Sequence, residues 1–382
     1  MSTSDPGRLA ALDGMRGIAV LAVLAYHAHL PWMRGGYLGV DVFFVLSGYL
    51  ITVQLLKMPQ VRGLGALARF YGLFLAHRAT RLLPALLTML AATVVLGAWL
   101  PVDRQNAGAC TARAATYTMN LPDAERLHCP AIWHVSWSLA AEVQFYAIWP
   151  VALLGLIWLV RRAAAPATRL AAVVVTGLFV AAVCWHLALW NTPGGKQHFL
   201  FAPDGRSLIL LLGCAIALLT ARPMFEGARL RGPVARVVAV VALGAALVLG
   251  HSTSAASAIG YYLVVAIATT LLLVQALGQG SGAPAMLRWR ATTWLGRISY
   301  SLYLWHEIAY AASRKMALPD PRLTIAVGVA LALVTATASY RWVEVPAQRA
   351  LRRALPRLGA RSTAGPAYTA PIGAPEMQPA AA

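Results

Sequence analysis

The chain reads as a series of long apolar runs broken by short polar segments, many of them basic. About ten runs predict helices, at roughly 16–31, 37–56, 82–100, 140–160, 170–190, 206–220, 234–250, 256–276, 293–312 and 323–341. A hydrocarbon layer about 30 Å thick is crossed by about 20 apolar residues in a helix. A helix also satisfies its own backbone hydrogen bonds where no water is available. The expected fold is therefore all-α, a polytopic membrane helix bundle of about ten transmembrane helices. The run at 206–220 is the weakest, being short and opening beside Arg206. Ile18 to Leu30 is followed by no small-residue cleavage pattern and reads as a first span rather than a leader. The spans fill 1–350. The segment 351–382 reads as a cytoplasmic tail, basic at first and then, from Ser362, rich in Ala and Pro and expected to be disordered. No internal repeat or appended soluble domain is expected.

Composition agrees with this pattern. Of 382 residues, 59% are hydrophobic and only 12% charged, against about a quarter charged in soluble domains. The net charge of +19 would suit nucleic acid if the charges formed one face. They fall instead in alternate loops, which excludes nucleic acid as the expected partner and points to a bilayer. With a cytoplasmic N-terminus, most of the 32 Lys and Arg residues lie inside, among them Arg69, Arg78, Arg81, Arg161, Arg231, Arg290 and Arg349. Both termini are therefore expected in the cytoplasm.

The largest loop on the far side, about 101–136, holds Asp103, Asp123, Glu125, Cys110 and Cys129. Disulfides persist outside the cytoplasm. A Cys110–Cys129 bond, favoured here over two free thiols, would close about twenty residues and contribute on the order of 3 kcal/mol. Cys184 and Cys214 lie in apolar runs and read as small buried hydrophobes. No metal-ligand spacing links the cysteines, and no metal is expected.

Arg16 and His27 are eleven residues apart on the first span. That is about three turns with a remainder near 20°, so both face the same way, roughly 16 Å apart. A buried histidine is a candidate general base, and a guanidinium is a fork for phosphate or carboxylate. The bland alternative is an orientation-setting Arg with a hydrogen-bonded His. Asp41, at the start of span two, needs a partner at that depth. A His27–Asp41 pair would orient the imidazole, as in a Ser-His-Asp relay lacking the serine; a structural hydrogen bond is the other reading.

Arg78 and Arg81, three apart, share a helical face and suit either a phosphate clamp or plain positive-inside anchoring. Ser138, Glu142 and Tyr146 share another face; Glu142 suits an acceptor sugar or the orientation of His27, or is an interfacial carboxylate. Ser299, Tyr303 and His306 form a polar stripe through span nine, with His306 a second candidate base. Such a stripe serves equally to hold helices together. No GxSxG elbow, HExxH, Walker loop or dinucleotide fingerprint is present.

Several of these segments, in order, resemble the membrane acyltransferase-3 family, which includes O-acetyltransferases of bacterial surface polysaccharides. They are Leu12-Asp13-Gly14-Met15-Arg16-Gly17, the Arg16-x10-His27 spacing, Gly39-Val40-Asp41-Val42-Phe43-Phe44 through Tyr49, and Arg78-x-x-Arg81. Trp137-Ser138-Leu139 with Glu142, Tyr300-Ser301-Leu302-Tyr303-Leu304-Trp305-His306, and Tyr340-Arg341-Trp342-Val343-Glu344-Val345-Pro346 complete the set. The last departs slightly from the family's closing pattern after the Glu.

The resemblance implies about ten spans in a bacterial cell (inner) membrane and a cytoplasmic acyl-CoA donor, acetyl-CoA by default, with no bound cofactor. It implies an acceptor hydroxyl on a carbohydrate or glycolipid, essential Arg16 and His27, and donor contacts from Arg78 and Arg81. Some members carry an extra extracytoplasmic esterase-like domain, which is not read in this chain. The mechanism expected is proton removal by His27, oriented by Asp41 or Glu142, with Ser138, Tyr303 and His306 at the substrate and Tyr303 a candidate oxyanion donor. The alternatives are a transporter or flippase for a lipid-linked saccharide, and the other large class of membrane acyltransferases, which pairs a buried His with an Asn.

Overall fold

The structure is a computed structural model that describes residues 6–56, 63–97, 99, 100, 103, 105–121, 128–162, 167–220, 232–251, 253–277 and 283–359. Ser362–Ala382, Asp123 and Glu125 lie outside the described residues. Those described form helices and turns and no strand. The helices in chain order are α1 (Pro6–His27), α2 (Gly39–Leu56), α3 (Leu64–Leu96), α4 (Ala107–Ala115), α5 (Ala131–His134), α6 (Trp137–Arg162) and α7 (Ala167–Leu189). There follow α8 (Gly195–Phe201), α9 (Pro203–Thr220), α10 (Pro233–Leu249), α11 (Ala255–Leu277), α12 (Arg290–Lys315), α13 (Pro321–Ser339) and α14 (Val345–Gly359). The chain is an all-α polytopic membrane bundle.

Each of the ten expected spans overlaps a helix, but they do not all qualify alike. Among the described residues seven helical stretches are long and apolar enough to cross a bilayer, or eight if α8 and α9, bent by 44°, form one span. At 17 residues, α10 falls short in length. Helix α12 is long enough but too polar, carrying Arg297, Ser299, Ser301, Tyr303, His306 and Glu307. It compensates by packing inside the bundle against α1 and α13, where polar side chains meet protein rather than lipid. Lipid-facing positions are apolar: Val95, Ile148, Val241 and Val334 are exposed, as a hydrocarbon solvent permits.

The α1–α12 crossing is set by glycine. A Cβ on Gly17 would lie 2.1 Å from the Thr292 carbonyl oxygen, and one on Gly296 would lie 1.8 Å from that of Asp13. Only hydrogen fits there, so the two backbones touch and the polar face of α12 is pressed onto the Arg16–His27 helix.

The third span begins at Leu64, not near 82. No breaker stops the helix upstream, and Pro84 lies within it. Thirty-three residues at about 1.5 Å each make a rod near 50 Å, longer than the hydrocarbon layer. Arg78 and Arg81 are thereby carried inside the helix rather than at its end. The chain leaves α13 through a π-helical turn, Tyr340–Glu344. There Glu344 is buried and accepts a short hydrogen bond from Ser301. Residue 350, where the sequence reading parts spans from tail, falls inside α14.

In the segment between α3 and α6, Cys110 and Cys129 are joined by a disulfide. Cys214 is buried, but Cys184 is exposed on α7 against the expectation of burial. That helix lies at the periphery, where an apolar thiol can face lipid.

Candidate active site

A cavity of about 770 Å³, counting the space at its mouth, opens between α1, α2, α3, α6 and α12. Three guanidinium groups line it, those of Arg16, Arg78 and Arg81, together with Ser47, Ser138, Glu142, Tyr146 and Tyr303. The helical spacings read from sequence account for this convergence. Arg78 and Arg81 share one face of α3, and Ser138, Glu142 and Tyr146 share one face of α6. Phe43, Phe44, Leu46, Leu50 and Ile51 supply an apolar wall from α2.

Two of the cationic groups are held by neighbours. Arg16 Nη1 lies 3.6 Å from Asp13 Oδ1, one turn back on α1. Arg78 Nη2 donates to Gln54 Oε1 at 3.1 Å, and its guanidinium lies over the rings of Phe74 and Tyr146 at 5.4 and 5.1 Å. Tyr300 donates to the Leu82 carbonyl at 2.6 Å, tying α12 to α3 beside Arg81. Glu142 accepts a short hydrogen bond from Ser47, whose oxygen is also 3.2 Å from the Tyr146 hydroxyl. Fixed guanidinium groups in a partly apolar cleft suit a phosphorylated ligand with a slender apolar arm.

His27 is the last residue of α1 and lies outside this lining, in a second cluster with His306 and Glu307. Its Nδ1 is 2.9 Å from the Val23 carbonyl oxygen, and His306 Nδ1 is 2.6 Å from that of Tyr303. A carbonyl only accepts, so each Nδ1 carries the hydrogen, and each neutral ring presents its lone pair at Nε2. Glu307 Oε1 lies 3.9 Å from His27 Nε2 and 3.6 Å from His306 Nε2. The two imidazole centroids are 4.9 Å apart. His306 is fully buried, whereas 32% of the His27 side chain is accessible. The ligand atoms of the three residues lie within 4.8 Å of one another. Two imidazoles and a carboxylate with carbonyl-anchored Nδ1 groups are also a donor set that suits zinc.

The expected His27–Asp41 pair does not form. Asp41 accepts from Arg206 Nη1 at 2.9 Å, both side chains being buried. Arg206 also donates from Nε to the Leu200 carbonyl at 2.5 Å, and its guanidinium lies over Trp137 and Tyr262 at 4.8 and 5.0 Å. A buried carboxylate takes the cation within reach, and α9 brings one. Glu142, the other expected orienting group, faces the cavity with Ser47 instead. The carboxylate beside His27 is Glu307, to which the sequence reading assigned no role. The signal was present, since Glu307 lies four residues after Tyr303 on the polar stripe.

Tyr303 connects the two regions. It lines the cavity, its hydroxyl lies 2.7 Å from Ser138 Oγ and donates to the Val135 carbonyl at 3.0 Å, and its ring is 5.7 Å from that of His306.

Comparison with known proteins places this geometry in a family. A family model described as an acyltransferase domain matches residues 9–341. The chain is 31% identical over 354 residues to a putative peptidoglycan O-acetyltransferase of Bacillus subtilis, covering 88% of this chain and 54% of that protein. It is 28% identical over 355 residues to a peptidoglycan O-acetyltransferase of Listeria monocytogenes, with 88% and 55% covered. A putative O-acetyltransferase of Staphylococcus aureus is 28% identical over 356 residues, with 88% and 56% covered. The chain thus spans about half the length of these curated relatives. No solved structure matches it. With the match running through both the guanidinium cavity and the His27–Glu307 cluster, the chain belongs to the acyltransferase-3 family.

Proposed function

We propose that the protein is an integral membrane O-acyltransferase that moves an acyl group, acetyl by preference, from acyl-CoA to a hydroxyl of a carbohydrate or glycolipid acceptor. One observation carries the reading: the His27 imidazole, with the Glu307 carboxylate 3.9 Å from its Nε2, is linked through the rings of His306 and Tyr303 to a cavity walled by three guanidinium groups. Acyl-CoA enters from the cytoplasm, and its phosphates meet Arg78, Arg81 and Arg16. The pantetheine arm runs along the apolar wall of α2. Both termini lie in the cytoplasm, and the protein sits in the bacterial cell membrane.

At the far end His27 Nε2 takes the proton of the acceptor hydroxyl as its oxygen attacks the thioester carbonyl. The C–S bond breaks, and the proton passes to the leaving thiolate. Glu307 stabilises the imidazolium formed between these steps. General-base assistance of this kind contributes ~10²–10⁴ in rate. Ser138 and Glu142 lie along the route of the substrates, and His306 packs against the base on the side of Tyr303. The names of the relatives favour a peptidoglycan sugar as acceptor.

The test is an assay of the purified protein with labelled acetyl-CoA and soluble saccharide acceptors. Transfer of label that disappears in His27→Ala supports the reading. Wild-type protein that moves a lipid-linked saccharide across vesicles without transfer or CoA release would sink it in favour of a transporter.

A further inference from the structure

We infer that Tyr303 and Ser138 form the partition between the donor cavity and His27, and that this partition selects the acceptor alcohol over water as the nucleophile. The inference rests on the acyl-transfer reading above. Tyr303 and Ser138 are both in the wall of the cavity, which among the described residues includes none of His27, His306 and Glu307. The opposite side of Tyr303 meets His306, through its ring at 5.7 Å and through its carbonyl, which accepts from His306 Nδ1. The His306 ring in turn meets His27 at 4.9 Å. Two rings, Tyr303 and His306, therefore stand in file between the guanidinium groups and the base.

The file is bolted at one point. The Tyr303 hydroxyl gives its single hydrogen to the Val135 carbonyl, so Ser138 donates to the tyrosine oxygen. Both side chains are buried. His27 keeps an accessible face that is no part of the cavity wall. Donor and acceptor thus approach Tyr303 from different sides. A thioester meets His27 only after Tyr303, and His306 packed on it, turn away, and while they are in place water admitted beside His27 does not meet the thioester.

Loss of the bolt gives hydrolysis. Water oxygen bonds to the acyl carbon, the C–S bond breaks, His27 carries one water proton to the thiolate, and the carboxylic acid formed loses the other to solvent as carboxylate and CoA leave. Tyr303→Phe keeps the ring and removes both hydroxyl contacts; Ser138→Ala removes one. The ratio of CoA released to acceptor acylated rises about fivefold or more in Tyr303→Phe, the size of a lost hydrogen bond, and less in Ser138→Ala. An unchanged ratio in Tyr303→Phe would overturn the partition. So would complete loss of both CoA release and transfer, which would make the hydroxyl part of the chemistry.

A second measurement needs no turnover. Carbethoxylation of His306 by diethyl pyrocarbonate, followed by peptide mass spectrometry, rises several-fold in Tyr303→Ala over wild type. Equal rates would overturn the partition even if acetyl-CoA proves not to be the donor. Absence of transfer by wild-type protein, with His306 protected only when Tyr303 is present, sinks the acyl-transfer reading and leaves the wall standing.

Discussion

Glu307 Oε1 stands 3.9 Å from His27 Nε2, while Asp41, the carboxylate on the next long helix of the chain, is bonded to Arg206 at 2.9 Å. Two carboxylates in one bundle therefore have different partners, and different effects are expected of their loss. Glu307→Gln keeps the shape but cannot stabilise an imidazolium. It should lower kcat by ~10²-fold or more with little change in KM for either substrate, and His27→Ala should abolish transfer while the protein still inserts in the membrane. Steady-state kinetics on membranes of matched protein content check both. Wild-type kcat in Glu307→Gln would remove it from the mechanism.

The Arg206 pairing makes stability the expected role of Asp41. Asp41→Asn leaves the Arg206 guanidinium buried without its anion, and breaking a buried pair typically costs about 3–5 kcal/mol. The variant should unfold at lower temperature in detergent, while the folded fraction transfers acyl groups at the wild-type rate. Replacing both members, as in Asp41→Leu with Arg206→Met, should recover much of the loss, because two apolar groups leave no charge stranded. A selective loss of kcat at unchanged stability would return Asp41 to the chemistry.

The cavity guanidinium groups should act on binding. Hydrogen bonds to charged groups are worth about 1.5–3 kcal/mol, so Arg78→Ala and Arg81→Ala should each raise KM for acetyl-CoA roughly 10–100-fold and change kcat less. Gln54→Ala, which frees Arg78 from its 3.1 Å contact, should have a smaller effect of the same kind. Competition by CoA lacking its 3′-phosphate distinguishes the phosphate met by each arginine. A fall in kcat alone would place these residues in the transition state rather than at the donor.

Much of this site follows from helical periodicity, and its gaps have a common cause. The faces of α3, α6 and α12 came from spacings of three and four, and those faces meet in the cavity. The Asp41 pairing rested on matching depths of adjacent spans, which says nothing of rotation about the α2 axis. That rotation is set by α9, where Arg206 lies 165 positions away in sequence. Local pattern carries no record of such a contact. The start of α3 was missed for a related reason. Its first turns, 64–76, are apolar apart from Arg69, but the basic cluster of His77, Arg78 and Arg81 divides them from the run at 82–100, and a cluster taken as the end of a span hides the helix on its other side.

His27, His306 and Glu307 also form a set of metal donors, and the general-base reading makes a definite statement about them. With His27 Nε2 needed as the proton acceptor, transfer should survive dialysis against a strong chelator, and purified active protein should carry far less than one equivalent of zinc by elemental analysis. His306→Gln then reduces the rate only moderately, because a buried neutral ring that packs the base is not a ligand. Stoichiometric zinc, activity lost on chelation and restored by zinc alone, and equal losses in His27→Ala, His306→Gln and Glu307→Gln would convert the cluster to a metal centre. In that case His27, His306 and Glu307 would hold the ion, which would supply Lewis-acid activation of the acceptor hydroxyl in place of general-base catalysis.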